Sequence, residues 1–318
     1  MKRSWKLVAV VAALAVTFAA CGDDDDDSGS AASNGASGDN CESSAQEGPT
    51  VQIGAQDFGE SAILAAIYAG ALDCGGIDAE TVEVGGNREL LFDAIDSGDV
   101  NFAPDYVASE LEFLNGGEGQ ATSDVDETLG FLRPLLEERG LVAFDPSEAV
   151  DTNAFVMTAD RSEELGITSL SDLADHQDLT LGAPQDCEDN QFCLPGLERV
   201  YDVDLSENFT PLEAGPLFDA LQSGDVDIAE LFSTDGRIAD ENLVLLEDDQ
   251  HMLAADNIFP LATQELADAY GDTLTDQLDA VSSVLTTDDL IEMNKRYDVD
   301  HEDAEDIAND WLADHDLA

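Results

Sequence analysis

Most side chains in this 318-residue chain that could carry chemistry are scarce or badly spaced for it. The four histidines, His176, His251, His301 and His315, never fall in an H-E-x-x-H or other paired-ligand spacing. There is no G-x-S-x-G, no phosphate loop and no G-x-G-x-x-G, so neither an activated serine nor a nucleotide cofactor site is written here. Acidic pairs such as Asp248-Asp249 are what 72 acidic residues give by chance. The expectation is a binder, not an enzyme, with no cofactor and no metal.

Five cysteines remain to be placed. Cys21 ends the stretch Phe18-Ala19-Ala20-Cys21, which follows a basic start at Lys2, Arg3 and Lys6 and an apolar run from Leu7 to Ala20. That run is too short to span a bilayer but suits the apolar part of an export leader. Two small residues before a cysteine resemble the lipobox of bacterial lipoproteins, where the cysteine is acylated and becomes the new N-terminus. Phe18 stands where Leu is usual, and an ordinary secretory signal is the rival. The expectation is a leader over 1–20, a lipid on Cys21 and a tether over 21–49. The tether's run of Asp23 to Asp27, then mainly Ser, Gly, Ala and Asn, cannot bury a core. As a coil it would reach roughly 30 Å.

The other four cysteines, Cys41, Cys74, Cys187 and Cys193, suit two disulfides in an exported chain, with three connectivities open. The short loop argues for Cys187 with Cys193, which leaves Cys41 with Cys74. A metal site is the rival, but the spacing is not C-x-x-C.

The charge excludes other partners. Against 72 acidic residues stand 11 basic ones, a net charge of −61. Nucleic acids and anionic membrane surfaces need clustered Lys and Arg. With 43% hydrophobic residues, the chain can still build a core. The acidity fits surface solvation, or a field that concentrates a cationic solute.

The elements follow from periodicity. Val51 to Gly54 reads as a strand, Ala55 to Glu60 as a loop, and Ser61 to Ala69 as a helix, the opening unit of an α/β fold. Further strands are expected at Thr81–Val84, Leu141–Phe144, Ala154–Thr158, Leu179–Ala183 and Leu243–Leu246, and the last sixty residues read as mainly helical. Residues 91–100, LFDAIDSGDV, return as residues 217–226, LFDALQSGDV, with eight of ten positions identical at an offset of 126. A single repeat at that distance predicts two similar lobes. Each copy reads as a helix ended by Gly and followed by a strand, and the two strands end at Tyr106 and Phe232. Open α/β sheets bind ligands beyond the carboxyl ends of their strands, so these aromatics are expected to face one cleft.

At this point the chain resembles a known family, the substrate-binding lipoproteins of ABC importers for glycine betaine, choline and related osmolytes. Ile53-Gly54-Ala55-Gln56-Asp57-Phe58-Gly59-Glu60 matches the family's Ile-Gly-Ser-Lys-Asn-Phe-Thr-Glu, and Pro104-Asp105-Tyr106-Val107-Ala108-Ser109 matches its Pro-Glu-Tyr-Thr-Gly-Thr. Residues 187–197, 232–238 and 243–249 resemble three further blocks, so the likeness runs over about residues 51–315 in consistent order. It implies a type II periplasmic-binding-protein fold of two α/β lobes with a ligand cleft between them. The first lobe would be 51–151 completed by 258–318, and the second 152–257.

The resemblance also implies site residues. Family members hold a quaternary ammonium group in an aromatic cage and a ligand carboxylate with Lys, Arg and hydroxyl or amide groups. By motif, Tyr106 and Phe232 match aromatic positions, and Ser109 stands where the family has a hydroxyl. Gln56 replaces a Lys, Asn190 an Arg, Asn153 a cage Tyr, and Asp256 lies near the place of another Tyr. Both expected cations are thus missing. A buried carboxylate without a positive partner is costly, so the expected ligand is a cation without one, choline ahead of glycine betaine, with Asp256 or Asp105 able to attract it. A carboxylate held by backbone N–H groups is the counter-reading. The implied partners are that solute, a permease and an ATPase, with the chain a monomer anchored by its lipid alone on the outer face of the cell membrane. A tethered solute-sensing receptor of the same fold is the alternative.

Overall fold

The structure, a computed structural model, describes residues 41, 44–212, 214–239 and 242–318. The expected leader, the Cys21 lipidation site and most of the tether lie outside the described residues. Both disulfides take the pairing that the short loop suggests, Cys41–Cys74 and Cys187–Cys193.

The first lobe starts with β1 (Val51–Gln56), α1 (Gly59–Cys74), β2 (Ala79–Gly85), α2 (Arg88–Ser97), β3 (Phe102–Tyr106), α3 (Val107–Asn115), α4 (Val125–Glu138) and β4 (Leu141–Ala143). The second lobe follows with β5 (Asn153–Thr158), α5 (Ala159–Leu165), β6 (Leu181–Ala183), a single turn α6 (Leu194–Gly196), β7 (Phe209–Pro211), α7 (Ala214–Ser223), β8 (Ile228–Phe232) and β9 (Leu243–Leu245). The chain then returns with β10 (Ile258–Thr263), α8 (Gln264–Tyr270), α9 (Asp272–Ser282), α10 (Thr287–Asp298) and α11 (Ala304–Asp314).

The two five-stranded sheets share one plan, with orders β2-β1-β3-β10-β4 and β7-β6-β8-β5-β9. In each, three strands run parallel, and the strand that has just crossed from the other lobe, β10 or β5, is antiparallel to its neighbours. The crossing segments meet in a short antiparallel bridge between Val150 and Asn257, and Asp151 N–H donates to the Asp256 carbonyl at 3.0 Å.

The sequence repeat is a structural one. Helices α2 and α7, and strands β3 and β8, sit at the same offset of 126. Both helices stop at a glycine in the left-handed region, Gly98 at φ 82° and Gly224 at φ 77°, where a Cβ would be strained. The opening elements are longer than the periodicity indicated. β1 continues to Gln56, which pairs with Gly85 of β2, and α1 runs from Gly59 to Cys74 with its apolar residues buried. Its Ile63 and Ile67 pack in one core with Leu290 and Trp311 of the C-terminal helices. The strand β7 had no sequence signal, being three residues long and only half-buried.

Candidate functional site

Parallel strands deliver their carboxyl ends to the space between the lobes. Tyr106 ends β3 and Phe232 ends β8, and both line one cavity of about 670 Å³. The loop after β1 adds Phe58, which directly precedes α1. The Phe58 and Tyr106 ring centroids are 6.4 Å apart and tilted by 32°. Phe232 is 57% exposed and Phe58 41%, while Tyr106 is buried with its ring on the wall. Two large aromatics left open beside a third make a surface for an apolar or cationic group. Phe58 was not among the expected site residues, although it stands in the matched motif.

Carboxylates surround these rings. Five line the cavity, Glu60, Asp151, Asp235, Asp256 and Asp298, against two guanidinium groups, Arg88 and Arg237. The Tyr106 hydroxyl donates to Glu60 Oε1 at 2.7 Å, and Asn294 Nδ2 donates to Glu60 Oε2 at 2.6 Å. Thr234 Oγ1 donates to Asp151 Oδ1 at 2.8 Å. Asp256 Oδ1 accepts from the N–H groups of Ala108 and Ser109 at 2.8 and 2.9 Å, and its Oδ2 accepts from Ser109 Oγ at 2.5 Å. It thereby occupies the positive start of α3. Burial raises Glu60, and the bonds from Tyr106 and Asn294 only partly offset it. Asp151 stands well above the usual range through burial and then through Glu60, and burial pushes Asp256 up to about 6 despite its bonds from Ser109.

Two expectations need correction. The cleft does contain an arginine, Arg88 at the start of α2, which lies outside every matched block. It is already paired, with Nη2 2.5 Å from Asp105 Oδ1 and Nε 3.0 Å from Glu110 Oε2. Asp105, expected to attract a ligand, is fully buried behind Arg88 and faces that guanidinium instead. Arg237 is likewise paired, with Asp235.

The expected residues do not all share one space. Gln56, Tyr106, Ser109, Phe232 and Asp256 line the aromatic compartment. Asn153 and Asn190 line an adjoining one of about 320 Å³, which meets the first at Arg88, Ser109 and Asp256. The disulfide loop between Cys187 and Cys193 supplies Asn190 and Phe192 to it.

The lobes touch on both flanks of this cleft. Asn294 Nδ2 of α10 also donates to the Thr234 carbonyl of the second lobe at 3.0 Å. A Cβ on Gly236 would come within 2.3 Å of the Lys295 nitrogen. On the other flank, Phe192 packs against a first-lobe core that includes Phe259.

A two-lobed α/β chain with an aromatic, acidic cleft matches one family over most of its length. The profile described as the substrate binding domain of the ABC-type glycine betaine transport system covers residues 49–314. The chain belongs to this family. Its members are extracytoplasmic solute-binding proteins of ABC transporters, not enzymes, and they hand a small solute to a permease. The glycine-betaine-binding protein of Pseudomonas aeruginosa is 28% identical over 283 residues, covering 84% of this chain and 88% of its own. The carnitine transport binding protein OpuCC of Listeria monocytogenes is 25% identical, covering 83% of this chain and 86% of its own. A solved structure described as a glycine betaine/carnitine/choline ABC transporter superposes with a TM-score of 0.74 at 24% identity, over 84% of this chain and 99% of its own. Apo YehZ from Escherichia coli gives 0.70 at 23%, over 85% and 100%. These likenesses show the type II periplasmic-binding-protein fold. Among the described residues, no helix is long and apolar enough to cross a membrane.

Proposed function

We propose that this member of the family captures a small quaternary ammonium cation between Phe58, Tyr106 and Phe232, choline in preference to glycine betaine, and delivers it to its permease as a monomer tethered through a lipid on Cys21. The observation that carries the preference is how the hydrogen-bond donors are spent. Tyr106, Ser109, Thr234, Arg88, Arg237 and the Asn294 amide all donate to groups of the protein itself. The first N–H groups of α3 are taken by Asp256. A ligand carboxylate would enter a cleft with five carboxylates and few free donors, at the cost of an unpaired buried charge. A methylated cation needs no acceptor, gains from ring faces at about 0.5–2 kcal/mol each, and finds countercharge in Glu60 and Asp151.

One observation favours glycine betaine. The start of α1 has no side-chain cap, and the Gln56 amide beside it has no partner among the described residues, so a carboxylate would find donors there. Calorimetric titration with both solutes separates the two readings. Choline is expected to bind more tightly, and tighter glycine betaine would overturn the preference.

A further inference from the structure

The adjoining polar compartment is a second subsite. We propose that the preferred solute is longer than choline, with an onium head among the three aromatics and a neutral tail bearing hydroxyl or amide groups between Asn153 and Asn190. This rests on the quaternary ammonium reading of the aromatic compartment and extends it.

Three observations carry it. The two compartments adjoin, with Arg88, Ser109 and Asp256 lining both, so a solute that extends past these three side chains would enter the second. Contacts on both flanks already bring the lobes together, so the second space is bounded by both and is not a gap left by separated lobes. The polar atoms there are also unspent. Asn153 Nδ2 donates to the Phe192 carbonyl at 3.4 Å, which leaves its Oδ1 open among the described residues. Asn190 Oδ1 accepts from the Phe192 N–H at 2.9 Å, which leaves its Nδ2 open among the described residues. One free acceptor and one free donor, each held by the same backbone residue, suit a group that both donates and accepts, such as a primary amide or a hydroxyl. The charged groups of this compartment are Glu112, Asp189, Asp256 and the already paired Arg88, which disfavours a carboxylate tail. A head the size of choline leaves the subsite to water.

The probes are tetramethylammonium, choline, carnitine and carnitinamide, the last carrying a trimethylammonium head, a hydroxyl and a neutral amide. Titration of the full chain is expected to rank carnitinamide about tenfold tighter than choline, for two added hydrogen bonds, with carnitine weaker than its amide. The double variant Asn153→Ala/Asn190→Ala is expected to remove that tenfold advantage and to weaken tetramethylammonium far less. Both side chains are half-buried, and an unchanged melting temperature without ligand shows that the variant folds. Equal affinities for choline and carnitinamide, or an equal loss for carnitinamide and tetramethylammonium in the variant, would overturn the second subsite and leave the onium reading intact. Absence of binding by every probe would overturn both.

Discussion

The hydroxyl of Tyr106 donates to Glu60 Oε1 at 2.7 Å, so the ring on the cleft wall is steered by one of the carboxylates that make the cleft negative. Glu60 is 6% exposed and holds Asn294 with its other oxygen. Ring, carboxylate and the second lobe at Thr234 form one connected unit.

That unit predicts different outcomes for two changes at one position. Tyr106→Phe keeps the ring face but removes a donor from a buried carboxylate, so choline affinity is expected to fall by about three- to tenfold. Tyr106→Ala removes the ring and is expected to abolish measurable binding. Equal, small losses in calorimetry for both variants would move the cation away from Tyr106.

Asp256 guards the start of α3. Asp256→Ala frees the N–H groups of Ala108 and Ser109, at about 1–2 kcal/mol of stability for the lost cap. The freed positive helix end should accept a ligand carboxylate, so the affinity ratio of glycine betaine to choline is expected to rise at least several-fold. A ratio that stays at the unaltered protein's value would show that Asp256 does not select the solute.

The raised carboxylates couple binding to pH. Glu60, Asp151 and Asp256 all bind protons more tightly than free carboxylates, and a bound cation favours their ionised forms. Affinity for tetramethylammonium is therefore expected to rise as pH climbs through about 6, where Asp256 ionises, with proton release on binding. Stability without ligand runs the other way. The contribution of Asp256, raised from 3.8 to about 6, is full below about 3.8 and is lost as pH rises through about 6. Urea midpoints should fall across that window. An affinity independent of pH would separate these carboxylates from the cation.

The repeat predicts matched responses in the two lobes. A Cβ on Gly54 of β1 would meet Leu91 Cδ1 at 2.7 Å, and one on Gly182 of β6 would meet Leu217 Cδ1 at 2.7 Å. Both leucines are buried, so Gly54→Ala and Gly182→Ala are each expected to cost about 1–3 kcal/mol by overpacking. Chemical denaturation measures both, and a tolerated change in one lobe alone would break the equivalence.

Much of the architecture is legible in the local pattern of the chain. An amphipathic helix, a terminal glycine and a short strand are local patterns, and their return at one offset marks two lobes whatever lies between. Tyr106 and Phe232 could be placed at strand ends for that reason, and the cysteine pairing followed from one short loop. Phe58 was legible too, standing beside Gln56 in a matched motif, but nothing local marks its ring as open to the cleft.

The lobes, the strand ends and the excess of acid can be read from the chain alone, because each depends on residues close together in it or on a simple count. The tertiary structure decided the electrostatics of the cleft. Asp256 caps a helix whose first residues lie 148 positions earlier, and Asn294 reaches Glu60 across 234. Arg88 enters the cleft outside every matched motif and is silenced there by Asp105. Whether a charge or a donor is free for a ligand depends on what lies within about 3 Å of it, and in this chain those neighbours are brought from distant segments by the packing of two lobes.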